Sequence, residues 1–535
     1  MITLINHQGL KTVSGLQIQT PSPSIGLAYL GAFVKKHGYE YTAIDACGEA
    51  LDQIRPYQGN YTEPIMVQGL TVDQVVMRVP ANTRIVGFTC LFSHCWPLVL
   101  DIARELRPRF PDAVFVAGGE HPTALPEGVL ASNLFDVVVR GEGEETFLEL
   151  IECIYAGHDW RHIAGIAYAT PDGQVVATAA RRRMTAIDDL PYPDWDAWSL
   201  EAYIAAHQVT GVNLGRSMPI LGSRGCPFEC SFCSNPEMWT QRYLMRHPSR
   251  LVDEMQYMKA RYKVMGFTFM DSTFIVNRQK TLDFAHELVG RGLGVTYQLP
   301  AGTRCEAFDQ ELATALDQSG LRNFAFAPES GDEGTLKAIK KQVSLRRLLN
   351  AVRFVLRTNM TVACFFVIGF PEDTRAGMRR TLRLVRKLAI MGVHDVTISK
   401  FTPYPGTAYF RQLFPGKAFD ASAEELRSVI SFYSNTGKSY TPGVSSQELY
   451  FRMLWMYVNF YVLSFAIRPW RVVRNFWQYF QSGVENARYM RFFAEISSLR
   501  RKWIQRGDRT VVRPTPVSFG TTGPASRGSR DNASR

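Results

Sequence analysis

The sequence predicts an α/β protein with a doubly wound parallel sheet, a partial (β/α)6 barrel after it, and a helical extension at the end. Three observations carry this. Short runs rich in Val, Ile and Phe, several ending in Gly, alternate with helix-like stretches from residue 2 to about 155. The alternation breaks at a hairpin-like and proline-rich passage, then resumes near 218 for six rounds. Beyond about 425 the pattern becomes helical. Strands that are apolar throughout, each followed by a helix, belong to a parallel sheet covered on both faces.

The first domain, residues 1–160, begins with ITLIN (2–6), a helix from Ser24 to His37 and YTAIDAC (41–47). IVGFTC (85–90) with a helix over about 97–109, AVFVAGG (113–119), DVVVRG (136–141) and an amphipathic helix from Glu144 to Tyr155 complete it. Doubly wound sheets bind ligands beyond the carboxyl ends of their strands. The loops Cys90–Trp96, Gly118–Pro122 and Gly141–Glu145 are therefore the informative ones. Residues 161–205 read as a linker, with a hairpin turning at Pro171–Gly173 and an irregular DDLPYPDWDAW (188–198).

The second domain, 206–425, offers the strands MPILGS, GFTFMD, VTYQLP, NFAFAP, VACFFVIG and DVTISKF. Helices over 248–262, 278–290, 309–319, 344–357 and 375–390 separate them. Such repeats place a site at the carboxyl ends of the strands. Residues 426–512 read as a helical extension, and 513–535, rich in Ser, Gly, Arg and Thr, as a disordered tail.

Composition bounds the partners. The apolar fraction of 46% supports ample core, and the net charge of +11 admits nucleic acid, a membrane surface or anionic small molecules. No interleaved nucleic-acid motif favours the first. MITLINHQGL has no basic n-region or apolar h-region, so a cytoplasmic protein is expected. Nine cysteines fit a reducing compartment, and six of them read as small buried hydrophobes.

The other three stand in GSRGCPFECSFCSNP, where Cys226, Cys230 and Cys233 follow the spacing C-x3-C-x2-C. Three thiolates on so short a loop suit one small metal centre. A structural zinc site would want a fourth ligand, usually from a second pair, and only His207 and His247 lie near in sequence. Three thiolates on a cubane leave one iron open to a small molecule.

This spacing after a strand that opens a β/α repeat, with Phe232 before the third cysteine, resembles the radical S-adenosylmethionine (SAM) superfamily. The resemblance implies a [4Fe-4S] cluster on Cys226, Cys230 and Cys233 whose open iron chelates SAM and cleaves it to a 5′-deoxyadenosyl radical. APESG (327–331) resembles the fourth-strand segment, implying that Glu329 and Ser330 lie near SAM. FFVIGFPEDT (365–374) resembles the fifth, with Ile368 and Gly369 along the adenine. MDSTF (270–274) stands where many members carry Gly-Gly-Glu, so the resemblance leaves the amine-binding place to Asp271 or Ser272.

SPSIGLAYLGAFVKKHGYE (22–40), VAGGEHPTALPE (116–127) and DVVVRGEGEETFLEL (136–150) resemble the cobalamin-binding domain that precedes such a barrel in one large class. That resemblance makes the sheet Rossmann-like and implies that Ser93, Gly118, Gly119, His121, Gly141, Glu142 and Gly143 line a cobalamin site. The Asp-x-His-x-x-Gly motif that gives cobalt a histidine is absent. Over roughly 1–480 the domain order is similar to the anaerobic magnesium-protoporphyrin monomethyl ester cyclase group and its methyltransferase relatives. The resemblance implies an oxygen-sensitive enzyme that methylates an unactivated carbon of a small-molecule or lipid substrate. An external one-electron reductant of flavodoxin or ferredoxin type would serve it. The alternatives are radical oxidation, cyclisation or rearrangement without methyl transfer, and a non-catalytic cobalamin or Fe–S sensor.

The aromatic, arginine-rich stretch 448–480 has two readings. One is a helical cap on the barrel. The other is a peripheral contact at the inner membrane surface, with Arg452, Arg468, Arg471 and Arg474 on anionic headgroups. Its longest uncharged run, 453–467, is too short to span a bilayer.

Overall fold

A computed structural model describes residues 1–12, 21–58, 65–208, 210–415, 437–482 and 490. The expectations for 426–436, for most of 483–512 and for the tail 513–535 fall outside the described residues. Residues 1–492 make one compact unit.

In the N-terminal sheet the parallel strands Tyr41–Asp45, Ile2–Asn6, Ile85–Thr89, Val114–Gly118 and Val137–Val139 lie side by side in that order. Numbered along the chain this is 2-1-3-4-5, so the winding reverses between Ile2–Asn6 and Ile85–Thr89. A doubly wound sheet opens its ligand crevice at that reversal, beyond the carboxyl ends. The strands alternate strictly. Ile85, Val116, Val137 and Val139 join the core under helices Ile25–Lys36 and Glu144–Ala156. Val86, Phe88, Phe115 and Val138 join the opposite core under helix Trp96–Leu106.

The predicted hairpin forms from Ile166–Ala169 and Val175–Ala177, and it adds to the sheet edge antiparallel to Val137–Val139. A small antiparallel sheet of Gly9–Thr12, Ile65–Gln68 and Ile54–Pro56 was not legible. Strands of three and four residues carry too little alternation to register.

The barrel strands Ser217–Ile220, Gly266–Phe269, Thr296–Thr303, Leu321–Glu329, Thr361–Ile368 and Asp395–Lys400 pair in sequence order, all parallel. The first and last are not paired with each other, so the barrel is partial. Its core is continuous with the face of the N-terminal sheet that carries Ile85 and Val137.

Helix Ser446–Ile467 lies on helix Arg375–Met391 and the last strand, burying Leu449, Met453, Met456, Phe460 and Ser464. These residues recur every three or four positions, one helical stripe. Among the described residues no helix is long and apolar enough to cross a membrane.

Candidate active site

The cysteine loop leaves the first barrel strand through Gly222–Ser223. The buried Asp271 accepts from the Gly222 N–H at 3.1 Å and from the Ser223 hydroxyl. Burial raises its carboxyl to about 6, against those hydrogen bonds. Gly225 has φ +85, and a Cβ there would collide with the Arg242 carbonyl, so only glycine turns the chain into Cys226. The Cys233 N–H bonds the Cys230 carbonyl at 3.0 Å, curling the loop back on itself.

All three thiols are free and partly buried. Burial pushes the thiols of Cys226 and Cys230 up and that of Cys233 to about 12, with Cys226 adding to the rise at Cys230, and Cys230 and Cys226 to that at Cys233. A single zinc ion would draw thiolates to about 3.8 Å of one another. Among the described residues no three His, Cys, Asp or Glu side chains converge to hold one ion. Three thiols on one short loop suit a cubane, where each thiolate has its own iron.

Residues that the sequence reading missed wall this loop. The Ser231 N–H bonds the Ile339 carbonyl at 3.1 Å. The Arg304 guanidinium covers the Phe228 ring at 3.7 Å and donates to the Gln342 carbonyl. Lys341 stands over Phe232 at 6.0 Å and pairs with Glu329 at 2.9 Å. Burial alone would lower the Lys341 ammonium, and the Glu329 carboxylate outweighs it, so its pKa is raised.

The other positions expected at SAM are placed as follows. Glu329 ends the fourth barrel strand with φ +63, unusual for a residue with a side chain. The Ser330 hydroxyl meets Thr381 at 3.2 Å and accepts from the Asp332 N–H at 3.1 Å. Ile368 closes the fifth strand. Gly369 follows with φ +95, its N–H held by Asp373 at 2.8 Å, and a Cβ there would press on Leu449.

At the N-terminal sheet, a Cβ on Gly118 would meet nothing nearer than 4.0 Å, whereas Gly119, with φ +100, sits against the Cys90 carbonyl. Leu91 and Phe92 beside them are 50% and 54% exposed, an apolar step at the sheet's ligand end. His121 Nδ1 meets the Ser93 hydroxyl at 2.9 Å, and its ring packs on Trp96. Burial lowers His121 to about 3, and burial then His7 lower His94 to about 4, so both rings are neutral. An open glycine and an apolar step suit a flat, bulky corrin, while the two imidazoles lie buried behind them.

The two strand-end regions meet. Glu120, directly after Gly119, accepts from the hydroxyl of Ser234, directly after Cys233. Thr123 also reaches Met238 at 3.7 Å.

The Arg-Gly-Glu-Gly-Glu turn crosses the same seam. Arg224, two residues before Cys226, pairs with Glu142 at 3.1 Å and Glu144 at 2.5 Å, all three side chains under 10% exposed. Arg183 takes the other Glu142 oxygen at 3.1 Å. Both guanidinium groups lie over Trp239 at 5.5 Å. Glu142 thus has both oxygens on arginines, while Gly141 (φ +76) and Gly143 shape the turn. A second tie joins Tyr29 to Glu254 at 3.1 Å, and Glu254 to Arg246.

At the far edge, Arg468 donates to the Ala389 and Ile390 carbonyls and Arg471 to those of Gly392 and Val393. Arg452 pairs with Glu448. Three of the four arginines considered for headgroups are thus spent on the protein.

Comparison with known proteins follows this geometry. Residues 12–151 match the B12 binding domain and 220–385 the radical SAM superfamily. An uncharacterized methyltransferase of Pyrococcus horikoshii is 28% identical over 73% of this chain and 78% of its own. The anaerobic magnesium-protoporphyrin IX monomethyl ester cyclase of Rubrivivax gelatinosus is 28% identical over 75% and 68%. The radical SAM methyltransferase TsrM of Kitasatospora setae, solved with cobalamin and a [4Fe-4S] cluster bound, superposes with a TM-score of 0.58 at 18% identity, covering 76% of each chain. That likeness is one of fold.

Proposed function

Starting from a chain that joins a B12-binding domain to a radical SAM domain, we propose a cobalamin-dependent radical SAM C-methyltransferase acting on a small-molecule substrate. The cluster with SAM supplies a 5′-deoxyadenosyl radical, and cobalamin carries the methyl group. Cys226, Cys230 and Cys233 hold the cluster. Glu329, Ser330, Ile368 and Gly369 border SAM, and Asp271 holds the entry to the loop. Gly118, Gly119, Ser93, His121, Gly141 and Gly143 border the corrin, whereas Glu142 serves the seam. A one-electron donor of flavodoxin or ferredoxin type is the expected reductant.

One observation carries this reading: the Glu120–Ser234 bond puts the sheet's ligand end one residue from Cys233. Two cofactors whose chemistries must meet on one carbon need such a shared mouth, closed to water. The seam residues hold it shut.

The test is product analysis after anaerobic reconstitution. Equal amounts of S-adenosylhomocysteine and 5′-deoxyadenosine, formed with substrate, support methylation. Deoxyadenosine without S-adenosylhomocysteine points to cyclase-like chemistry, the reading that the similarity to the Rubrivivax gelatinosus cyclase favours. A chain that binds no iron overturns both.

A further inference from the structure

Both aromatic residues inside the cysteine loop are covered by buried cations from elsewhere in the fold. Phe228 lies under Arg304, and Phe232 under Lys341. Neither cation is a surface residue: their side chains are 8% and 9% exposed. Burying an ammonium group is expensive, and an apolar side chain would wall the loop without that cost. The fold also strains itself to keep the arrangement. Glu329 adopts φ +63 at the end of its strand and pairs with Lys341 at 2.9 Å. Lys340, with φ +54, turns the chain so that Lys341 points inward. Positive φ in residues with side chains concentrates at functional sites.

Each cation has a carboxylate partner, Glu329 for Lys341 at 2.9 Å and Glu306 for Arg304 at 3.1 Å, but it is the cations that stand over the loop's own rings. Charge on a cluster and its surroundings sets its reduction potential, and a dry site strengthens each interaction.

We propose that Lys341 and Arg304 are positioning residues that raise the reduction potential of the cluster held on Cys226, Cys230 and Cys233. Reduction adds one electron from the external donor and breaks no bond, so the centre gains one negative charge. Two fixed cations beside the loop offset that charge and favour the reduced state. The inference rests on the cluster reading above and assigns a role that the cysteine motif alone does not carry.

The test is an anaerobic redox titration of the reconstituted full chain, read by low-temperature EPR of the reduced cluster and performed without SAM. Omitting SAM separates tuning of the cluster from any part these side chains play in binding SAM. Lys341→Met and Arg304→Gln each shift the midpoint to lower potential. At a fixed potential the ratio of reduced to oxidised cluster falls about tenfold, equivalent to about 59 mV for one electron. Lys341→Arg, which keeps the charge, stays near the parent.

Should Lys341→Met fail to hold iron, the double variant Lys341→Gln, Glu329→Gln removes the buried pair together and shows a smaller shift of the same sign. A SAM-free midpoint unchanged in Arg304→Gln and in Lys341→Met (or, where that fails to hold iron, in the double variant), at full iron content, overturns the proposal. The absence of iron from the parent chain would instead overturn the cluster reading itself.

Discussion

The barrel is tied to its neighbours along two seams, and the two are built on opposite principles. Toward the N-terminal domain, charge meets charge in the dry: Arg224 and Arg183 against Glu142 and Glu144, all side chains under 10% exposed, with Tyr29 bonding Glu254 of the barrel's own buried pair with Arg246. Toward the C-terminal helices, arginines cap main-chain carbonyls at the end of helix Arg375–Met391, and Tyr457 and Tyr461 bond Ile398 and Asp395. The ion pair there, Arg375–Glu448, is solvated, with 51% and 28% exposure. A buried ion pair adds little net stability, yet losing one member is severe because the other stays charged and dry. A solvated pair is neither. The first seam therefore commits the two cofactor regions to one geometry, whereas the second gives way gradually.

The largest effect is expected from Arg224→Gln. It strands Glu144 and leaves Glu142 with Arg183 alone, at a cost of about 3–5 kcal/mol. Urea denaturation followed by far-UV circular dichroism reads the loss. The double variant Arg224→Met, Glu144→Leu recovers most of it, since apolar replacement of a whole buried pair is often neutral. A loss under about 1 kcal/mol in Arg224→Gln, the range of exposed pairs, would mean that water reaches this seam and that the contrast is false.

The same contrast explains what the sequence disclosed. Strands such as Ile85–Thr89 were legible nearly to the residue, because a parallel strand buried on both faces is apolar throughout. The cysteine loop stood out in the sequence because its three cysteines lie within eight residues. The partners of that loop did not. Arg224 stands 80 residues from Glu144, and nothing local marks either as the other's counter-charge. The resemblance of its turn places Glu142 at the ligand site, and its two arginine partners cannot be read from the sequence. Lys341 ends the run KAIKK (337–341), which looks like a solvated face. Only the left-handed turn at Lys340, a place where glycine is the usual signal, rotates it inward.

A second, smaller effect separates the seams by pH. His394 is half-buried, and its Nδ1 accepts from the Val362 N–H at 3.2 Å. Burial, then Arg471, Arg474 and Arg468, lower it to about 3. A histidine lowered in the folded state contributes stability above its unfolded value of about 6.5, and this is lost as pH falls toward 3. By pH 5 about 2 kcal/mol should be gone. Glu144 is also lowered, because Arg224 outweighs its burial, so its contribution fades only below the ordinary glutamate range. Hydrogen exchange between pH 7 and 5 should therefore rise first in 446–482, and later around 140–144. His394→Gln, which cannot titrate, should remove the early rise. Simultaneous rises in both segments would dissolve the distinction.

The smallest effects lie within the C-terminal seam itself. Glu448→Ala removes the solvated partner of Arg375 and Arg452 and should leave the melting temperature unaltered. Arg468→Ala should cost about 0.3–1 kcal/mol, because it uncaps the carbonyls of Ala389 and Ile390 where the helix dipole is negative. The order matters more than either size. Both residues sit on one helical segment and both carry charge, but only Arg468 meets main-chain carbonyls in the last turn of another helix. If Glu448→Ala proved the worse of the two, the seam would depend on paired charges after all, and it would differ from the N-terminal one in degree alone.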